Sequence, residues 1–80
     1  MQSLTRIEQE AYNFIVQYFA KYGFSPSYQE IADGIYYSNQ SSVYDVLRRL
    51  KRKGYIDLPF KSTTRAIKVV GMKHIVEGLD

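Results

Sequence analysis

Five of the six residues from Arg48 to Lys53 (RRLKRK) are cationic. A solvated helix gains little from such crowding, because like charges repel at helical spacing. Beside a polyanion the same run is favourable. Ser41, Ser42, Tyr44 and Asp45 precede it. On a helix advancing about 100° per residue, Val43, Val46, Leu47 and Leu50 share one narrow arc. Ser41, Asp45, Arg48 and Arg52 centre on the opposite side, flanked by Ser42, Tyr44 and Arg49. The outer face is small and polar at its start and arginine-rich at its end. That gradient suits a helix entering the major groove of double-stranded DNA by its N-terminus. A serine hydroxyl meets several base edges, Tyr44 can hydrogen-bond or pack on a thymine methyl, and Asp45 can accept from cytosine N4. Arg48 can reach a guanine or a phosphate, whereas Arg49, Arg52 and Lys53 suit phosphates. Plainer roles stay open. The serines can satisfy first-turn amides, Asp45 can pair with Arg49 at i,i+4, and Tyr44 can edge the core.

A helix over residues 39–53 must carry these groups, with Asn39 as its N-cap and a further candidate DNA-backbone contact, and Gly54 as its stop. Two further helices are expected ahead of it. Thr5 and Glu8 form a capping box for a helix over residues 4–22. Its apolar stripe is Ile7, Ala11, Phe14, Ile15, Tyr18, Phe19 and Tyr22, and Gly23 ends it. Ser27 and Glu30 form a second box, opening a short helix over residues 28–35 with Ile31, Ala32 and Ile35 inward. Residues 36–38 make a tight turn, giving the helix-turn-helix order. Residues 55–58 and 65–70 read as two strands of a hairpin. Its loop, residues 59–64, together with Arg65, makes a basic wing. In that wing Lys61, Thr63, Thr64 and Arg65 can follow the DNA backbone, or Arg65 can approach a minor groove. Ser27 and Tyr28 open the second helix, whose amide end can face a phosphate. The expected fold is mainly α, α+β: a winged helix-turn-helix over residues 1–71, with a tail over residues 72–80.

Eighty residues allow one small domain with a modest core. The chain has no cysteine, so neither a disulfide framework nor a cysteine zinc site is available. Residues 1–40 carry Arg6 and Lys21 against Glu8, Glu10, Glu30 and Asp33, a net −2; residues 41–80 carry nine cations against four acids, a net +5. The positive charge is thus confined to the half that holds the candidate helix. No stretch is long and apolar enough to cross a bilayer or serve as a signal peptide, and a cytoplasmic, nucleoid-associated protein is expected.

Several short matches then share one pattern: Leu4-Thr5, Pro26-Ser27, Glu30-Ile31-Ala32, Ser41-Ser42-Val43, Leu47, Leu50, Arg52-Lys53-Gly54-Tyr55-Ile56 and Arg65-Ala66-Ile67. Over residues 4–70 the chain resembles the N-terminal DNA-binding domain of LexA-type repressors, in the Gram-positive form whose recognition helix opens with a serine run before valine. The resemblance implies a winged helix-turn-helix that represses DNA-damage-response genes. It implies base-reading positions at Ser41, Ser42, Tyr44 and Asp45, phosphate contacts at Arg52 and Lys53, and a wing contact at Arg65. Three departures matter, one being that Tyr44 and Asp45 differ from the residues expected at those positions. The family usually has glycine where this chain has Tyr36. A left-handed backbone would strain a tyrosine, so an altered turn is expected. In addition, the family's C-terminal serine–lysine protease domain, which also dimerises those repressors, does not fit in nine residues after Gly71. A stand-alone module of a phage or mobile element, or the DNA-binding half of a longer repressor, would account for this.

No nucleophile, base and orienting group can be assembled with specificity. No glycine-rich phosphate loop is present, and the one histidine, His74, cannot build a metal site. The expectation is no enzyme activity, no cofactor, no small-molecule substrate and no membrane. A DNA-bound homodimer on paired half-sites is expected. The competing function is a protein-interaction module that uses Tyr28, Tyr36, Tyr37 and Tyr44 against a host regulator or replication protein. Tyrosines intermixed with arginines on one face favour DNA; a separate aromatic patch favours a protein.

Overall fold

The computed structural model describes residues 3–36, 40–58 and 67–70, apart from the side chains at 40 and 41. In chain order these form α1 (Arg6–Tyr22), α2 (Tyr28–Gly34), α3 (Gln40–Arg52), β1 (Ile56–Asp57) and β2 (Lys68–Val69). The architecture is a mainly helical α+β winged helix-turn-helix, three helices followed by a two-stranded antiparallel sheet.

Both capping boxes form. The Glu8 amide donates to Thr5 Oγ1 at 3.3 Å, and the Thr5 amide donates to Glu8 Oε1 at 3.0 Å. The Glu30 amide donates to Ser27 Oγ at 3.1 Å, and the Ser27 amide donates to Glu30 Oε1 at 2.8 Å. Each box satisfies donors that a helix start leaves orphaned. Gly23 closes α1 with φ 82°, its amide donating to Phe19 O. Gly54, with φ 90°, turns the chain out of α3 into β1.

Helix α3 packs on both α1 and α2, and β1 packs on α3. Ala11 and Ile15 of α1, Ile31 and Ala32 of α2, and Val43, Val46, Leu47 and Leu50 of α3 fill the interface. Burial of these apolar faces holds the helices together. Ile56, Leu58, Ile67 and Val69 close one side of the core. The sheet pairs Ile56 with Val69 and Asp57 with Lys68. The ladder is shorter than the expected strands, though alternation holds: Ile67 and Val69 are buried while Lys68 is exposed. Tyr22, expected on the inner stripe, is instead 49% exposed, because α1 runs past the core before Gly23 ends it.

The turn after α2 corrects another expectation. Tyr36 has φ 62°, so the left-handed backbone is kept and a tyrosine occupies it. The N-cap assigned to Asn39 and the turn residues Tyr37 and Ser38 lie outside the described residues. So do the wing residues Lys61, Thr63, Thr64 and Arg65, and the tail over 72–80.

Candidate nucleic-acid interface

Helix α3 is strongly two-sided. Val43, Val46, Leu47 and Leu50 are at most 1% exposed, while Tyr44, Asp45, Arg48, Lys51 and Arg52 are exposed and Ser42 and Arg49 are half-buried. Burial of the apolar arc fixes the rotation of the helix, and that rotation fixes which polar side chains point away from α1 and α2.

The five cations do not share one fate. Arg49 Nε donates to Glu8 Oε2 at 2.9 Å, and Lys53 Nζ donates to Glu8 Oε1 at 2.6 Å. Lys53 Nζ also donates to the Ser3 carbonyl at 3.1 Å, and Lys51 Nζ donates to the Leu58 carbonyl at 3.1 Å. Arg48 and Arg52, four residues apart on the outer row, have no carboxylate partner among the described residues. The Asp45–Arg49 pair is not formed, because Arg49 turns to Glu8 instead. The carboxylate of Glu8 is 1% exposed. Its burial opposes ionisation, but hydrogen bonds from Lys53, the Thr5 amide and Arg49 outweigh this and hold its pKa at about 2, below the ordinary 4.5. Glu8 therefore stays charged, and it joins the start of α1 to the end of α3.

Sequence reasoning read Glu8 only as a capping residue. The missed signal was its place on the stripe of Ala11 and Ile15, three and seven residues ahead of them. A carboxylate on a buried face needs a cation. The stripe shows that a partner must exist, but not which one.

Around Tyr44 of α3 the aromatic and cationic groups intermix. The ring centroids of Tyr28 and Tyr44 lie 5.9 Å apart, and the guanidinium of Arg48 lies 6.0 Å from the Tyr44 ring. Tyr28 at the start of α2 thus meets α3 through the Tyr44 ring. Asp45 lies one residue further along the same exposed surface. Ser27 is half-buried, with its hydroxyl engaged in the cap of α2. Ser42 is half-buried, and the side chain of Ser41 lies outside the described residues.

A second aromatic cluster is distinct from this surface. The Tyr18 ring packs against those of Phe14 and Tyr22 in tilted pairs and of Phe24 edge-on, at centroid distances of 5.9, 4.4 and 5.8 Å. Together with Glu30, Asp33 and Gly34 of α2, residues of this cluster line an open groove of about 520 Å³. Among the described residues there is no group of three or more metal-ligating side chains, and no helix is long and apolar enough to cross a membrane.

Residues 1–66 match the family model described as LexA DNA binding domain. The LexA repressor of Syntrophobacter fumaroxidans is 31% identical over 68 residues, covering 85% of this chain and 33% of that protein. The LexA repressor of Staphylococcus aureus is 37% identical over 70 residues, covering 88% of this chain and 33% of its own length. The chain spans about a third of the length of these curated relatives. With three helices, an antiparallel sheet and the sequence match in agreement, the chain belongs to the LexA DNA binding domain family.

Proposed function

We propose that the chain binds double-stranded DNA sequence-specifically, as the DNA-binding module of a LexA-like transcriptional repressor acting at the nucleoid. The observation that carries this is the exposed row on α3. Tyr44, Asp45, Arg48 and Arg52 share one surface, and both arginines lack a carboxylate partner among the described residues. Ser41, Ser42, Tyr44, Asp45 and Arg48 read base edges in the major groove. Arg52 holds a phosphate, and Tyr28 and Ser27 stand beside the backbone at the start of α2. The wing residues Lys61, Thr63, Thr64 and Arg65 extend the contact along the sugar-phosphate chain. Arg49 and Lys53 serve the Glu8 network first, and contribute to DNA binding mainly by holding α3 in place.

One copy covers a single half-site, so two copies on half-sites about one helical turn apart are expected. Selection of bound duplexes from a random pool, with mass measurement of the complex, tests sequence preference and stoichiometry together. An enriched motif bound by two copies is the expected result. No detectable duplex binding at low salt would overturn the proposal.

The separate cluster of Tyr18, Tyr22 and Phe24 is the observation that favours a second function, a protein-interaction module. Tyr22 and Phe24 are 49% and 46% exposed. In that case the selected pool would show no motif.

A further inference from the structure

We infer that Tyr36 is an additional DNA contact, placed at the turn that leads into the reading end of α3. The inference rests on the DNA binding proposed above. Tyr36 has φ 62° and is the single non-glycine residue at positive φ among the described residues. Gly23 and Gly54 take the other two such positions. A left-handed backbone presses Cβ toward the following carbonyl, so glycine adopts it freely and a bulky side chain does not. Strain of this kind persists where the surrounding structure enforces it, and it gathers at functional sites.

The Tyr36 ring makes no aromatic contact among the described residues that would offset the strain. The Tyr36 side chain is 94% exposed, against 49% for Tyr22 and 38% for Tyr44. Tyr12, Tyr18, Tyr22, Tyr28, Tyr44 and Tyr55 all make ring contacts, whereas Tyr36 makes none among the described residues. Its ring is therefore accessible to a partner outside the chain.

Position favours DNA as that partner. Tyr36 follows the C-cap of α2, Ile35, and precedes the first residue of α3, Gln40, by four residues. Four residues span at most about 14 Å, so the ring stays close to the end of α3 that enters the groove. A tyrosine there can lay its ring on a deoxyribose or a thymine methyl and give its hydroxyl proton to a phosphate oxygen. The Asp45 and Arg48 contacts would then be flanked by one more contact outside α3.

The test uses Tyr36→Gly and Tyr36→Phe on the duplex that the wild-type protein enriches from a random pool, with Arg52→Ala alongside. Tyr36→Gly removes both ring and strain. Its Tm should equal or exceed that of the wild type while its Kd rises about tenfold, the equivalent of one good contact. Tyr36→Phe should keep the Tm and lose only the hydroxyl share, about twofold to threefold in Kd. If Tyr36→Gly binds like the wild type while Arg52→Ala binds more weakly, the Tyr36 contact is wrong and DNA binding stands; a ring used against a protein would give this result. If Tyr36→Gly lowers the Tm together with the affinity, the ring is structural and the contact is again wrong. If the wild type enriches no duplex, the DNA-binding function itself falls.

Discussion

The Nζ of Lys53 lies 2.6 Å from Oε1 of Glu8, joining residues 45 positions apart in the chain. The same carboxylate accepts from Arg49 and caps α1 through the Thr5 amide. One buried charge thus fixes how the end of α3 sits on the start of α1, and with it the angle at which Arg48 and Arg52 are presented. Its pKa, about 2 against an ordinary 4.5, makes folding depend on pH. The depressed value means that the folded state favours the ionised form. The stabilisation is complete above about pH 4.5 and is lost as pH falls through about 2. It amounts to at most about 3 kcal/mol. Urea unfolding of Glu8→Gln against the wild type should show a gap at pH 7 that closes toward pH 2. A constant gap would show that the charge is not its source.

Phosphate contacts and structural cations leave different marks on salt dependence. Arg52→Ala should flatten the plot of log K against log salt by about one unit, with little change in Tm. Lys53→Ala should do the reverse. It leaves Glu8 with one fewer partner and lowers stability by about 1–3 kcal/mol, while the slope hardly changes. Anisotropy titrations at several salt concentrations, paired with thermal melts, separate the two. A slope change for Lys53→Ala equal to that of Arg52→Ala would return Lys53 to the DNA surface.

Ser25 is 3% exposed, and its Oγ accepts from the Ile67 amide at 3.1 Å while donating to the Pro26 carbonyl at 2.8 Å. It ties the α1–α2 connection to the residue that leads into β2. Ser25→Ala should cost about 1–3 kcal/mol, because the Ile67 amide stays buried without that acceptor. Hydrogen exchange at Ile67 should accelerate more than at Ile31 in the core of α2. Uniform acceleration would point to general destabilisation instead.

Ser27 is both the cap of α2 and a candidate backbone contact. Ser27→Ala should lower stability by about 1 kcal/mol through loss of the cap. That corresponds to a fall in Tm of roughly 4–8 °C for a domain of this size. Ser27→Asp retains a capping oxygen but adds negative charge. It should hold the Tm near wild type and weaken duplex binding if the backbone passes this point. Unchanged binding by Ser27→Asp would remove Ser27 from the interface.

Local chemistry made most of the fold legible. Thr5 with Glu8 and Ser27 with Glu30 name two helix starts within four residues each, and Gly23 and Gly54 name two ends. The arc of Val43, Val46, Leu47 and Leu50 set the rotation of α3, and so the exposure of Tyr44, Asp45 and Arg48, from periodicity alone. These signals act over one or two helical turns, which is why they can be read without a structure. Tertiary structure decided how the cations are divided. Arg49 and Lys53 meet Glu8 across 41 and 45 residues, and no local rule distinguishes them from Arg48 and Arg52 in the same run. The Ser25–Ile67 bond spans 42 residues in the same way. At Tyr36 a local rule was overridden: sterics alone argue against a left-handed tyrosine, yet the backbone has φ 62° there. The helix that presents the candidate interface was therefore written in sequence, while its effective charge was set by folding, because ion pairing depends on distance in space and not on distance along the chain.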